Sequence, residues 1–366
     1  MIDVLISGFY GFRNSGDDAI LLGMIEELKR ANPQIKITVL SKTPEKTKEI
    51  YGVESISRFN MFQIIKVMRK SRLFISGGGS LIQDVTSTRS LLYYLGLIRL
   101  AHFLKVRVML YANGIGPVKE EKNRKLCKKI LDKVELITLR EPMSKEEIES
   151  LGIRTPRIEV TADPAMTLKE VTGDKAKKLI KELGLEEGKP LITLSVRPWG
   201  DCVEAYTTVL AEVADELAEK YEAQILLAPL QLSQDLEVCQ KVADQMKTPS
   251  YLLKKDYHIT ELLALIKASD LMIGMRLHAL IYAVSMCVPI VGIVYDPKVE
   301  GLLRYTHQYS AGEVQELKKD KLLAVINEVW ENRQSLQKEL QGQKAELERL
   351  AKKNTEEVIR LIASYK

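Results

Sequence analysis

The stretch Val4-Leu-Ile-Ser-Gly-Phe-Tyr-Gly-Phe-Arg-Asn-Ser-Gly-Asp-Asp-Ala-Ile20 passes from a short apolar run, through a glycine-rich loop, into a segment whose apolar residues Ile20, Met24 and Leu28 recur every fourth position. A buried strand leading into a helix with one apolar face produces that pattern. Asp17 is a residue of N-cap type at the predicted helix start, and Asn32 with Pro33 ends the helix. Working outward, the same unit repeats. Strands are predicted at 4–7, 35–40, 53–56, 73–76, 106–111, 136–139 and 158–160, each followed by a helical pattern. A polar stretch over 169–190, with Gly173, Gly184 and Gly188, interrupts the alternation, which then restarts with strands at 191–196, 224–228, 251–253, 271–274 and 290–294. Strand–helix alternation of this kind builds parallel sheets covered by helices, so the fold class is α/β, and two such sheets in tandem imply a cleft.

The length agrees: 366 residues exceed what one hydrophobic core organises. The expected boundaries are an N-terminal domain at 1–170, a C-terminal domain at 171–335, and a terminal segment at 336–366. In that last segment Leu340, Leu347, Leu350, Val358 and Leu361 follow four-and-three spacing, broken by Gln343 and Asn354. One or two amphipathic helices packing back across the protein are expected, with a coiled-coil homo-oligomer as the alternative.

Hydrophobic residues at 46% and charged residues at 28% describe a globular chain rather than a disordered one. Lys+Arg 54 against Asp+Glu 49 gives a net charge of +5, with basic residues scattered among acidic ones, which argues against nucleic acid as a partner. Residues 1–10 lack the features of a signal peptide, and no segment reads as a transmembrane span, so a cytoplasmic address is expected. Cys127, Cys202, Cys239 and Cys287 are widely spaced with no metal-ligand pattern, so reduced thiols and no metal are expected.

Ligands of open α/β sheets bind beyond the carboxyl ends of the strands. The loop after the first strand lacks both the GxGxxG and the P-loop patterns, which leaves Arg13, Asn14 and Asp17 to bond a polyol, or Asp17 to cap the helix. Gly77, Gly78 and Gly79 follow the strand at 73–76 and let a ligand approach the backbone, beyond what a turn requires. The Asn113–Pro117 segment forms a further loop. Arg140, at the end of 136–139, needs an anion, supplied either by a ligand or by an internal carboxylate such as Glu141.

In the second half, Arg276, Leu277 and His278 sit where a strand meets a helix entrance, which places a guanidinium fork and an imidazole beside free backbone donors. Lys298 and Arg197 end neighbouring strands on the same rim. Arg140, Arg197, Arg276 and Lys298 together imply a small, highly charged anion.

Asn14-Ser-Gly-Asp-Asp18, the Gly77 triplet, Met275-Arg-Leu-His-Ala279 and Tyr295-Asp-Pro-Lys298 together resemble the polysaccharide pyruvyltransferases over nearly the whole chain, and look closest to the CsaB-type bacterial cell-wall polymer enzymes. The resemblance implies a GT-B-like fold with two facing Rossmann-like domains. It implies phosphoenolpyruvate as donor, no metal and no further cofactor. The acceptor it implies is a lipid-linked amino sugar, N-acetylmannosamine, of a secondary cell-wall polymer that anchors S-layer proteins, which would bring the enzyme to the inner face of the membrane. By motif position Arg140, Arg276 and His278 would hold phosphoenolpyruvate with Lys298 nearby, and Asn14 and Asp17 would face the acceptor. His278 is then the expected proton donor and Asp17 the expected base. A nucleotide-sugar glycosyltransferase and a noncatalytic polysaccharide-binding protein are the competing readings.

Overall fold

A computed structural model describes residues 2–170, 172 and 174–364; Gly173 of the expected junction and Met1 lie outside the described residues. The chain divides into two compact units, Met1–Thr167 with Leu347–Lys366, and Leu168–Glu346.

Unit 1 runs β1 (Ile2–Ser7), α1 (Ser15–Ala31), β2 (Ile37–Ser41), α2 (Pro44–Tyr51), β3 (Glu54–Ser57), α3 (Met61–Met68), β4 (Ser71–Ser76), β5 (Gly79–Ile82), α4 (Thr88–Phe103), β6 (Arg107–Ile115), α5 (Glu121–Leu131), β7 (Leu136–Leu139), α6 (Pro142–Ser150) and β8 (Arg157–Val160). Its sheet has the order β3-β2-β1-β4-β6-β7-β8, with parallel pairings throughout and β5 beside β6. Alternate residues of these strands feed two cores. Leu5, Phe74, Val108 and Leu110 meet α3, α4 and α5 on one face. Val4, Ile6, Ile75 and Met109 meet α1 on the other. The period-two alternation of a pleated strand explains the split.

Two expectations are corrected here. The glycine triplet leads into β5 and not directly into a helix, and the supposed loop at Asn113–Pro117 is largely strand, because β6 continues to Ile115. Buried Asn113 ties the two together, aiming its Nδ2 at the carbonyls of Ser76, Gly77 and Tyr111, each 3.0 Å away.

Unit 2 runs α7 (Asp174–Glu182), β9 (Leu191–Ser195), α8 (Val203–Tyr221), β10 (Gln224–Leu227), α9 (Leu232–Gln245), β11 (Ser250–Leu252), α10 (Ile259–Lys267), β12 (Leu271–Gly274), α11 (Leu277–Ser285), β13 (Ile290–Val294), α12 (Pro297–Tyr305), β14 (Tyr309–Glu313) and α13 (Lys319–Ala363). The parallel sheet has the order β11-β10-β9-β12-β13-β14. Gly274 at the end of β12 pairs with Ser195 of β9 and with Gly292 of β13, so three adjacent strands finish at one edge.

The C-terminal segment is a single helix beginning at Lys319, seventeen residues before the expected 336. Its early residues Leu322, Ile326 and Trp330 belong to the core of unit 2, and Val358 and Ile362 to that of unit 1. Leu340, Leu347 and Val358 of the proposed seam are buried within the chain. Asn354 breaks the apolar spacing because it is a buried hydrogen-bonding position: its Oδ1 accepts from Thr161 Oγ1 at 2.9 Å and its Nδ2 donates to the Ala162 carbonyl at 3.2 Å. All four cysteines are free thiols.

Candidate functional site

The ends of β9, β12 and β13 in unit 2 carry Arg197, Arg276 with His278, and Lys298, so the structure brings these residues to one sheet edge. The two helices entered there differ. Asp296 caps α12, accepting the Lys298 N–H at 2.9 Å. Arg276 occupies the N-cap of α11 and makes no side-chain cap bond, so the partial positive end of α11 is not answered by a capping oxygen. Leu277 and His278, both half-buried, begin that helix. The His278 ring lies 6.0 Å from that of Tyr282, one turn on, tilted by 47°.

Arg276 is held from behind. Its Nε donates to Asp235 Oδ2 at 2.9 Å and its Nη2 bonds Asp235 Oδ1, while Gln234 Oε1 accepts from Nη2 at 3.2 Å. Asp235 is fully buried near the start of α9 and also accepts the Gln231 N–H at 2.9 Å. The pair is therefore neutral as a unit. What Arg276 offers outward is an oriented Nη1 edge, which has no hydrogen-bond partner among the described residues. The expectation that Arg276 adds net positive charge to the rim is corrected accordingly.

Arg197 differs in kind, since it has no carboxylate partner among the described residues. Its Nη1 donates to Tyr295 Oη at 3.2 Å, and the guanidinium lies 4.9 Å from the Tyr295 ring centre and 5.6 Å from that of Trp199. Its Nε is buried without a hydrogen-bond partner. Tyr206 fixes the backbone beneath it, donating from Oη to the Arg197 carbonyl at 2.6 Å.

In unit 1 the expected ligand contacts resolve differently. Asn14, not Asp17, is the N-cap of α1: in extended conformation it accepts the Gly16 N–H at 3.0 Å, and Asp17 falls in the first turn. The glycine triplet answers protein groups. A Cβ on Gly77 would stand 2.2 Å from Tyr10 Oη, one on Gly78 would stand 2.8 Å from Ile20 Cγ2, and Gly79 has a φ of +92° with Asp17 Oδ1 at 3.0 Å. Close packing against Tyr10 and Ile20 accounts for Gly77 and Gly78, and the positive φ accounts for Gly79, so packing within the protein is sufficient reason for the triplet.

Arg140 is likewise committed internally. Its side chain is 4% exposed; Nε donates to Glu141 Oε2 at 2.8 Å, Nη1 to Asp163 Oδ2 at 3.1 Å and Nη2 to Ser80 Oγ at 3.2 Å. Burial works against the charge, but Glu141 and Asp163 outweigh it and hold the Arg140 pKa above its ordinary value. The internal carboxylate partner expected as one of two answers for Arg140 is thus present, supplied by both Glu141 and Asp163.

Asp235, Asp163 and Arg58 escaped the reading of the sequence. Arg58, just past β3, is buried with Gly8 O at 3.1 Å from Nη1, and the Phe12, Phe59, Tyr93 and Tyr94 ring centres lie 4.5–5.7 Å from its guanidinium. Burial pushes the Tyr94 hydroxyl up to about 12, against the opposing charge of Arg58. Phe12, Phe59, Tyr93 and Tyr94 are visible in the sequence, but no spacing rule joins them to Arg58. Among the described residues no group of His, Cys, Asp and Glu is arranged to hold a metal ion.

Two α/β units with wholly parallel sheets and polar strand ends define a GT-B-like protein. Solved structures agree on the fold. MnaA of S. aureus, in a co-structure with UDP, matches 100% of this chain and 97% of its own at a TM-score of 0.68 and 11% identity. Anabaena Alr3699/HepE, in complex with UDP and glucose, matches 100% of both chains at 0.66 and 12%. The model of the polysaccharide pyruvyl transferase family matches residues 14–297, and the chain belongs to that family. It is also 24% identical to the amylovoran biosynthesis protein AmsJ of Erwinia amylovora, over 98% of this chain and 99% of that one. The protein is thus a transferase of the polysaccharide pyruvyl transferase family.

Proposed function

We propose that the chain transfers the enolpyruvyl carbons of phosphoenolpyruvate to N-acetylmannosamine in a lipid-linked secondary cell-wall polysaccharide precursor, closing a 4,6-ketal and releasing phosphate, for polymers that anchor S-layer proteins. The observation that carries this reading is the convergence of Arg197, Arg276, His278 and Lys298 on three adjacent strand ends beside the α11 start, which lacks a side-chain cap. A phosphomonoester that also bears a carboxylate needs several fixed donors. Arg276 Nη1 and the first turn of α11 suit the phosphate, and Arg197 with Lys298 suits the carboxylate.

In the reaction, a proton adds to the methylene carbon as one sugar oxygen bonds the adjacent carbon. The C–O bond to phosphate then breaks as the second sugar oxygen bonds the same carbon. Of the two protons lost by the sugar hydroxyls, one balances that taken up by the methyl group and the other leaves with phosphate. His278 is the proton donor in this scheme, and Asp17 is the carboxylate assigned to the acceptor hydroxyl.

The test is incubation of the purified protein with phosphoenolpyruvate and a synthetic lipid-linked N-acetylmannosamine disaccharide. Phosphate release together with the pyruvyl mass increment on the sugar supports the reading. Sugar transfer from a UDP-sugar without any need for phosphoenolpyruvate would replace it with glycosyl transfer, and binding of the disaccharide without turnover would point to a noncatalytic role.

A further inference from the structure

Across the whole chain cations and anions nearly balance, but not locally. Residues 55–119 contain ten Lys and Arg and a single acid, Asp84, an asymmetry hidden by the overall +5. The expectation that charges are evenly scattered fails over this segment, which spans α3, β4, β5, α4 and β6. The exposed large apolar side chains gather in the same region. Among the described residues all of them lie between Ile50 and Phe103, with Phe62 at 89% exposure, Phe103 at 79% and Phe59 at 67%, followed by Val85, Ile50, Met61 and Leu92.

α3 and α4 cover the same face of the unit 1 sheet, burying Ile64, Met68, Leu91, Leu95 and Ile98 in one core. Arg58 joins their N-terminal ends, since its guanidinium touches Phe59 before α3 and Tyr93 of α4. The outward sides carry the aromatic residues together with Lys66, Arg69, Lys70, Arg89, Arg99 and Lys105, all exposed and none in an ion pair among the described residues. Phe62, Lys66, Arg69 and Lys70 line one open recess with Ile65.

We propose that the outer face of α3 and α4 seats the protein on an anionic lipid bilayer. Large aromatic side chains interleaved with unpaired cations, and no acid, match an interface of acyl chains below anionic headgroups. A second copy of the chain is a poor occupant, because a two-fold contact would set cation against cation. Attachment would be peripheral, since no helix among the described residues is long and apolar enough to cross a membrane. The inference goes beyond the transferase reading and does not depend on which acceptor the enzyme uses.

The experiment is co-sedimentation of the full chain with vesicles of phosphatidylcholine alone or of phosphatidylcholine and phosphatidylglycerol in equal parts. Binding to the anionic vesicles alone, weakened by salt, is expected. Replacing Lys66, Arg69 and Lys70 together by Gln should weaken partition on the order of 100-fold, taking each cation near the surface as about fivefold. F62S with F103S should also release the protein while leaving its circular dichroism and its turnover of a soluble acceptor unchanged.

Equal binding to neutral vesicles, or no binding, overturns the proposal. Salt-sensitive binding untouched by the Phe replacements also overturns it, because that describes a general polyanion surface. So does light scattering that shows a dimer dispersed by the same substitutions, which would make the face a self-contact.

Discussion

Replacing Asp235 with Ala tests the central electrostatic feature of unit 2. Asp235 is 0% exposed and Arg276 13%, and the carboxylate serves three donors: Arg276 Nε, Arg276 Nη2 and the Gln231 N–H. Breaking a buried pair from one side costs about 3–5 kcal/mol; the partial exposure of Arg276 lets water reach it, which favours about 3 kcal/mol. The orphaned Gln231 N–H adds about 1 kcal/mol, for a total near ~4 kcal/mol. Both tryptophans of the chain, Trp199 and Trp330, belong to unit 2, so urea unfolding followed by tryptophan fluorescence reports this unit separately from the rest. Asp235→Asn keeps the volume and an acceptor for Gln231 and should cost less, and combining it with Arg276→Gln should reveal a coupling of about 2 kcal/mol. On the proposed function, in which Asp235 aims Arg276 at the donor, Asp235→Ala should also raise KM for phosphoenolpyruvate on the order of tenfold to a hundredfold. A variant within about 0.5 kcal/mol of the parent with unchanged KM would refute the view that Asp235 positions Arg276.

Gly77→Ala should destabilise unit 1 by about 1–3 kcal/mol through the clash with Tyr10, and adding Tyr10→Phe should recover part of the loss; circular dichroism melting decides, and lost turnover at unchanged stability would restore a ligand role for the glycines. Arg140→Met should cost about 3–5 kcal/mol by stranding Glu141 and Asp163, and a raised KM with intact stability would contradict the internal salt bridge. Asp84 accepts from the Lys119 and Glu120 N–H groups and from Asn123 Nδ2; burial opposes its charge, but these bonds outweigh it and hold the carboxyl below the ordinary 3.8. Its folded pKa being the lower, its stabilisation is complete above 3.8 and is lost as pH falls through the folded value. The stability gap between the parent and Asp84→Asn should therefore narrow below 3.8 in acid titrations followed by circular dichroism.

Strands at 136–139 and 271–274 could be placed to the residue from the sequence, because each is a compact apolar run that opens directly after an acidic residue and is too short for a helix. The end of α1 was equally legible, with Asn32 as its C-cap. The start of α1 was not, since Asn14 and Asp17 are both capping residues and only backbone conformation separates them: Asn14 is extended, with a φ of −103°. β5 was invisible for a different reason. Four residues beginning with glycine carry little strand preference, and the segment is ordered by its pairing with the far end of β6. The long α13 was read short because its first turns serve the core of unit 2 and its last turns that of unit 1, so no single apolar stripe runs its length.

The same limit applies to the charges, and it divides the strand-end arginines into two kinds. Arg276 finds Asp235 at a separation of 41 residues and Arg140 finds Asp163 at 23, distances at which no local rule pairs charges. Both arginines belong to recognisable sequence contexts, and both turn out to be compensated. Arg58 and Arg197 lack carboxylates among the described residues and rest against aromatic rings instead. A cation–π contact returns about 0.5–2 kcal/mol, whereas taking a guanidinium out of water costs several. Arg58 in unit 1 and Arg197 in unit 2 are therefore guanidinium charges drawn out of water without a carboxylate partner among the described residues. Arg276 supplies direction to the edge of unit 2 through a fixed Nη1, and Arg197 supplies uncompensated charge there, so neutralising Arg197 should weaken anion binding through charge where Asp235→Ala weakens it through geometry.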